Sequence, residues 1–350
     1  MELTKCKLGE LITQRREKSD GTPLPICGVS KDGLIPPKQI DADTSIYNVF
    51  YRDDFIFNPA RMELNSIAIN DKYDRAICSS LYEVFYVHRT DLLLPHYLKL
   101  IVKQKWFTRY CEFLGQGSAR EYCRFNNISE IEIEFPSIEE QKKIVEHYTA
   151  LQNRIAIKKQ INDNLDVTAQ TIYQELFVDN PAVSSWKQGT VGDVLQLQRG
   201  HDLPRAEMVD GKYPVAGSTD TIGYHNQYTT KAPVIVMGRS GNIGNPRLYL
   251  CDCWAHNTSL YVKQFINSEP IWTFFLLKNL NYDSFVGGSA VPTLNRNDVH
   301  AYSIAIPPIE LQKDFSEKVI KLISIKEINI TEISKLEELK TAVLATISSR

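Results

Sequence analysis

The chain has 350 residues, a length that suggests about two domains, and its 40 Lys and Arg nearly balance 42 Asp and Glu for a net charge of -2. With 43% hydrophobic and 23% charged residues, the composition excludes a disordered tail, a collagen-like chain and a disulfide scaffold. The charge balance argues against a histone-like binder of nucleic acid. No run approaches the ~18–20 apolar residues of a membrane span, and residues 1–10 lack the pattern of a secretion signal. The seven scattered cysteines read as reduced thiols. Cys251 and Cys253 have one residue between them, which is not zinc-ligand spacing, so a cytoplasmic chain with structural thiols is expected.

The first half opens on Leu8-Gly9-Glu10-Leu11-Ile12. Short β-rich runs at 54–57 and 81–87 predict strands. A single helix is predicted from Leu94-Pro95, since proline suits a first turn. It carries Leu98, Ile101, Val102, Trp106 and Tyr110 at helical spacing. The turn Phe135-Pro136-Ser137 leads into a long helix predicted over Ile138–Phe177, free of Pro and Gly, whose apolar positions include Ile144, Leu151, Ile155, Ile161, Leu165 and Ile172. A polar, proline-containing linker follows at 179–185. The second half opens on Val191-Gly192-Asp193-Val194 and continues with a strand at 233–237 and a helix from Glu269-Pro270 through Trp272, Phe275 and Leu276. The turn Ile306-Pro307-Pro308 then starts a long helix at 309–347, with Phe315, Val319, Leu322, Ile330, Ile333 and Leu336 among its apolar positions.

The chain is therefore written twice. Blocks starting at Gly117-Ser118-Ala119 and Gly288-Ser289-Ala290 align without a gap through Gln141-Lys142 and Gln312-Lys313, an offset of 171. The openings match at an offset of 183, and Ser80-Leu81-Tyr82 matches Ser259-Leu260-Tyr261 at 179. The drift implies similar scaffolds with different loops. A helix of this length spans ~60 Å, which points to a coiled coil. The heptad phase slips between Ile155 and Ile161 and between Leu322 and Ile330, so a stutter or a polar layer is expected. One apolar stripe cannot be buried alone. Two packed antiparallel bury both, a pseudo-twofold dumbbell analogous to a homodimer.

The duplicated junctions carry a family resemblance. Phe135-Pro136-Ser137-Ile138-Glu139-Glu140-Gln141-Lys142-Lys143 and Ile306-Pro307-Pro308-Ile309-Glu310-Leu311-Gln312-Lys313, with the two openings, Trp186 and the Gly-Ser-Ala turns, make the chain resemble the specificity subunit of type I restriction-modification systems over nearly its whole length. The first copy departs in having Ser137 in place of a second proline and in lacking a Trp near its start. The resemblance implies an α+β chain of two similar α/β target-recognition domains joined by two long helices packed as an antiparallel coiled coil. The expected extents are 1–136 and 187–307 for the domains, 137–178 and 308–350 for the helices, and 179–186 for the linker. It further implies a non-catalytic subunit in which each domain reads one half of a split, asymmetric sequence in double-stranded DNA. The helices would set the gap and scaffold two modification (methyltransferase) subunits, on which restriction/translocase subunits dock. No cofactor is expected in this chain; S-adenosylmethionine, ATP and Mg2+ would belong to partner subunits, and no membrane is involved.

The residues themselves offer little catalytic chemistry. Asn58-Pro59-Ala60-Arg61 resembles the Asn-Pro-Pro-Tyr of amino-methyltransferases but lacks the second proline and the aromatic. Gly238–Gly244 lacks the Gly-Lys-Ser/Thr of a phosphate loop, and Glu140-Gln141-Lys142 reads as a helix start. A DNA reader needs Arg, Asn and Gln at base edges and cations at phosphates. Arg61 and Arg239 fall at roughly equivalent places after a strand. Ser118 and Ser289 lie in the two Gly-Ser-Ala turns; Arg120 and Arg124 flank the first, and Thr293, Asn295 and Arg296 follow the second. Ser240 and Asn242 stand on the glycine-rich turn, with Arg247, His256 and Asn257 near the next strand. Lys99, Lys103, Lys105, Arg109, Arg120 and Arg124, against Glu112 and Glu121, suggest a local basic face; no metal site is expected. Two other readings are a self-contained DNA-modifying enzyme and a coiled-coil adaptor without DNA readout.

Overall fold

The computed structural model describes residues 3–37, 43–115, 122–285 and 293–348. The chain divides into two compact units, 1–158 with 332–350 and 159–331. In the first, Thr4–Lys7 pairs antiparallel with Glu132–Phe135. A four-stranded sheet runs in the order Ile12–Arg15, Glu83–Val87, Phe55–Phe57, Ile67–Ile69. A second sheet runs Gly33–Ile35, Ile26–Ser30, Arg75–Cys78, Asn48–Tyr51, with its two middle strands parallel. The helices are α1 (Pro95–Val102), α2 (Lys105–Gly115) and α3 (Phe125–Ser129). The second unit repeats the plan. Lys187–Thr190 pairs with Ser303–Ile306, and a sheet runs Leu195–Arg199, Ser259–Phe265, Val234–Gly238, Gly244–Tyr249. A smaller sheet runs Thr221–His225, Tyr213–Ala216, Trp254–Ala255, its last pair again parallel. The long helices are α4 (Ile138–Phe177) and α7 (Ile309–Ser348), and α5 (Pro270–Lys278) and α6 (Arg296–His300) match α1 and α3.

Strand register gives the true correspondence between the halves. Val84 pairs with both Arg15 and Ile56, and Tyr261 pairs with both Gln198 and Val236. Tyr261 therefore matches Val84, and the expected match of Ser80-Leu81-Tyr82 to Ser259-Leu260-Tyr261 fails. Leu260 is buried within a strand, whereas Leu81 is 78% exposed in the turn before one. Backbone pairing fixes which face a residue takes, and a three-residue identity cannot override it. The single helix expected from Leu94-Pro95 is also two helices. The break lies at Lys103 and Gln104, whose side chains are turned inward. The Gln104 amide donates to the carbonyls of Leu100 and Leu344, both at 3.3 Å. The Lys103 ammonium donates to those of Lys31 at 2.6 Å and Ile67 at 3.1 Å.

The repeated Glu–Gln junction is a buried anchor. Gln141 is fully buried. Its Oε1 accepts from the Leu94 N–H at 2.9 Å, and its Nε2 donates to the carbonyls of Leu92 at 2.8 Å and Pro136 at 2.9 Å. Gln312, equally buried, accepts from the Glu269 N–H and donates to the Pro307 carbonyl, each at 3.0 Å. Leu94 and Glu269 are the residues at which α1 and α5 begin. Each glutamine thus fastens the start of a long helix to an otherwise unpaired N–H at the start of the inner helix.

Each unit contains one segment from each long helix, and the two segments are antiparallel. In the first unit Ile144, Val145 and Ile347 pack on the same core, and further along Lys158 pairs with Glu332 at 2.6 Å beside Arg154. In the second, Phe177 meets Phe315 edge-on with ring centres 5.1 Å apart, Asp166 pairs with Lys326 at 2.5 Å, and Asn162 accepts from Asn329 at 2.9 Å. The two asparagines are nearly fully buried and form the expected polar layer. Ile161 and Ile330, expected in the apolar stripe, are instead 41% and 46% exposed. The phase slip turns them outward and brings the neighbouring asparagine inward in both helices.

Two stability predictions follow from these contacts. Gln141→Ala strands the Leu94 N–H and two carbonyls in the core, which should cost about 1–3 kcal/mol and lower the thermal midpoint by several degrees; an unchanged melting curve would show that the anchor contributes nothing. Asn162→Leu alone should destabilise by about 1–2 kcal/mol because it removes the buried bond from the Asn329 amide to the Asn162 carbonyl oxygen, whereas the double change to leucine should recover most of that loss. Urea unfolding of the three chains checks this, and additive losses would refute it.

Candidate nucleic-acid interface

In each unit three connections converge beside the four-stranded sheet. In the first unit they are 58–66, 79–82 and the residues leading into α3. In the second they are 239–243, 256–258 and the residues leading into α6. The same backbone bond ties them. The Cys123 N–H donates to the Pro59 carbonyl at 3.0 Å, and the Leu294 N–H to the Arg239 carbonyl at 2.8 Å. Pro59 and Arg239 each lie three residues beyond the matched Ile56 and Val236, so they coincide. Arg61 and Arg239 occupy corresponding connections but lie two positions out of register.

The first-unit surface is built on a capped turn. The Asn58 side chain accepts from the Ala60 N–H at 3.1 Å, with Pro59 in the turn's opening position. Asn65 ends the turn at φ 53° and donates to the Val102 carbonyl at 2.7 Å and the Thr108 hydroxyl at 2.9 Å, which holds α2 against it. The fragment compared with a methyltransferase motif is therefore a cap and a turn. Arg61 is exposed and borders a cleft of about 760 Å³, shared with Lys31, Asn58, Leu64, Leu81 and Tyr82. Arg124 is exposed, pairs with Glu83 at 3.3 Å and lies over the Tyr122 ring at 5.4 Å. Glu83 also accepts from the Phe125 N–H at 2.8 Å. Arg109 is exposed on α2, next to the Thr108 that Asn65 holds.

Two members of the expected basic face are drawn into the fold. Lys99 pairs with Asp71 at 3.0 Å. Lys103 is half-buried with its ammonium on two backbone carbonyls, and burial lowers its pKa. Ser118, Arg120 and Ser289 lie outside the described residues.

The second-unit surface is more polar. The Arg239 N–H donates to the Thr258 carbonyl at 3.2 Å, and Ser240 bridges Thr293. Asn242 accepts from Asn245 at 2.8 Å, shaping the glycine turn. The His256 ring meets the Thr258 hydroxyl at 3.0 Å. Asn257 donates to Asp202, and its carbonyl accepts from Arg199 at 3.2 Å. Asn295 caps α6 by accepting from the Asn297 N–H at 3.0 Å, which places Arg296 exposed in the first turn. Arg239, Ser240, Asn242, His256, Asn257, Thr293, Asn295 and Arg296 therefore gather on neighbouring loops. Arg247 does not join them. It lies within a strand, its guanidinium donates to the Gly217 carbonyl and faces Asp220 at 3.7 Å, and so it pins the turn between two strands.

Leu64, Leu81, Tyr82 and Lys31 were not anticipated at the cleft. The available signal was Ser79-Ser80, a turn-forming pair directly before the strand that was predicted to begin at Leu81. Among the described residues no group of three or more His, Cys, Asp or Glu could hold a metal ion, and no helix is long and apolar enough to cross a membrane.

The family model described as type I restriction modification DNA specificity domain matches residues 37–167 and again 183–340. The type I restriction enzyme MjaIX specificity subunit of Methanocaldococcus jannaschii is 22% identical over 296 residues, 73% of this chain and 68% of that protein. The HindI specificity subunit of Haemophilus influenzae is 24% identical over 148 residues, 42% of this chain and 32% of that protein. The crystal structure of the type I restriction-modification S subunit from M. genitalium superposes with a TM-score of 0.73 at 17% identity, covering 99% of this chain and 96% of that one. That likeness shows the fold, and the doubled family match, over most of the chain and in step with its internal repeat, shows the membership: the chain belongs to the type I restriction-modification DNA specificity family, as the specificity subunit of such a system.

Proposed function

We propose that each unit reads one half of a bipartite, asymmetric DNA target with its three converging loops, that the long helices set the gap, and that the chain itself carries out no chemistry. One observation carries this reading: both units use the same backbone bond, Cys123 to Pro59 and Leu294 to Arg239, to bring unlike loops to the same place. A common scaffold with divergent loops is what two readers of different half-sites require. Arg61, Arg109 and Arg124 on one surface, and Arg239, Asn242, Asn257 and Arg296 on the other, are groups suited to guanine, adenine and phosphate. Lys99, Lys103 and Arg247 are assigned to the scaffold. Two modification subunits would assemble on the helices and bind S-adenosylmethionine, and restriction/translocase subunits would use ATP and Mg2+.

Replacing residues 1–136 with the same region of a relative should change one half of the methylated sequence and leave the other half intact. Methylome sequencing of a host carrying the exchange reads this directly, and an unaltered motif would refute the assignment. Arg239→Ala, assayed in the assembled complex, should lower affinity for the target about tenfold or more while affinity for scrambled duplex changes little. A constant ratio of target to scrambled binding would remove Arg239 from the reading surface.

A further inference from the structure

The two reading surfaces differ in kind. Unit two places His256, Asn257 and Thr258 in the connection before its strand Ser259–Phe265. Unit one places Leu81 in the matching connection, 78% exposed, and Leu64, 60% exposed, lines the same cleft. Both leucines are held outward by turn geometry. The Leu81 N–H donates to the Ser79 hydroxyl at 3.3 Å and the Tyr82 N–H to the Ser79 carbonyl at 3.0 Å. Leu64 immediately precedes the left-handed Asn65, whose side chain is fixed to α2. Two large aliphatic side chains held outward within one cleft offer a partner an apolar contact that side chains exposed singly do not. The cleft also carries Arg61, and Lys31 lies on its wall, so the partner is an apolar group on a polyanion.

We propose that Leu64 and Leu81 read the 5-methyl group of thymine in the major groove, with Arg61 on an adjacent base or phosphate, so that the half-site read by unit one contains a thymine contacted through its methyl. The proposal rests on the DNA-reading assignment above and adds the base chemistry. In the major groove the methyl is the one apolar group of the base-edge code, and it distinguishes thymine from the other three bases. The paired loop of unit two, with histidine, asparagine and threonine, would instead read through hydrogen bonds.

The test uses the assembled complex on its methylome-defined target. Each thymine of the unit-one half-site is replaced in turn by uracil, which keeps every Watson–Crick bond and removes only the methyl. Loss of one buried methyl corresponds to about a fourfold weaker affinity, expected at one or two positions of this half-site and absent in the other half-site. In Leu81→Ala and Leu64→Ala the thymine-to-uracil ratio at that position should fall towards one; both side chains are exposed, so folding is preserved. Placing 5-methylcytosine against guanine at a neighbouring cytosine should leave affinity unchanged. Equal affinity for thymine and uracil at every position, a half-site without an A·T pair, or a leucine variant that keeps the full discrimination would each overturn the proposal while leaving DNA reading intact. Absence of any preference for target over scrambled duplex would instead overturn the reading on which it rests.

Discussion

The fold depends on one buried side chain used twice. A long helix that leaves a mixed domain needs a fixed direction of departure, and its first turn supplies only unpaired N–H groups and a proline bend. Gln141 and Gln312 solve this by reaching back into the domain. A glutamine amide offers both a donor and an acceptor in one plane, so it can take the first free N–H of the inner helix and return a bond to the carbonyl of the proline before its own helix. Glutamate at this position would have no donor for the proline carbonyl, and a lysine no acceptor for the Leu94 or Glu269 N–H. The flanking Glu139, Glu140 and Glu310 lie at helix starts, where negative charge is favourable, and pair with Lys142, Lys143 and Lys313 within the same turn. The direction of each long helix is thereby set from inside the domain that it leaves.

Given those directions, the seam decides register. The aromatic group Tyr173, Phe177, Phe275 and Phe315 fills the second unit near one end of its helix pair, while the first unit uses Ile144, Val145 and Ile347 at the corresponding place. Apolar contacts of this sort are tolerant of sliding, since they lack direction. The Asn162–Asn329 bond is not, because displacing either helix by one turn would break this directional bond between two buried amides. The Asp166–Lys326 pair of the same unit adds little energy at a partly exposed site but favours the same alignment.

Much of this was legible in the sequence because it is periodic or repeated. The long-helix limits at 138 and 177 could be read from a proline turn, an uninterrupted helical run and a polar linker. The polar layer was visible as a phase slip, though its residues were not: Ile161 and Ile330 fit an apolar pattern by composition, and only the packed helices show that Asn162 and Asn329 take the seam. Pattern failed wherever a decision depended on partners distant in sequence. Lys99 and Lys103 look like surface cations until Asp71 and the carbonyls of Lys31 and Ile67 are brought beside them. Arg247 looks like a loop arginine until its strand pairs with Val234–Gly238. Leu81 matched Leu260 by letters, yet the first stands in solvent and the second in the core.

The near-zero net charge acquires a specific meaning from these pairings. Arg15 is committed to the buried Asp54 at 2.6 Å, Arg52 to Asp74 at 2.8 Å, Arg75 to Glu17 and Asp20 at 3.4 Å, and Lys99 to Asp71. Among the described residues of the converging loops the cations that face outward are few, and several stand beside amides, hydroxyls or leucines. Phosphate neutralisation scales with the number of cations brought to the backbone and fades steeply with salt, whereas discrimination between bases scales with the fit of a handful of side chains to groove edges. A chain that commits part of its positive charge to its own fold and keeps individual side chains at its loop tips is suited to discrimination. In a complex with partner subunits, sequence-independent affinity can be supplied by their surfaces, and a weakly charged reader avoids being held at the many wrong sites that a strongly cationic one would occupy.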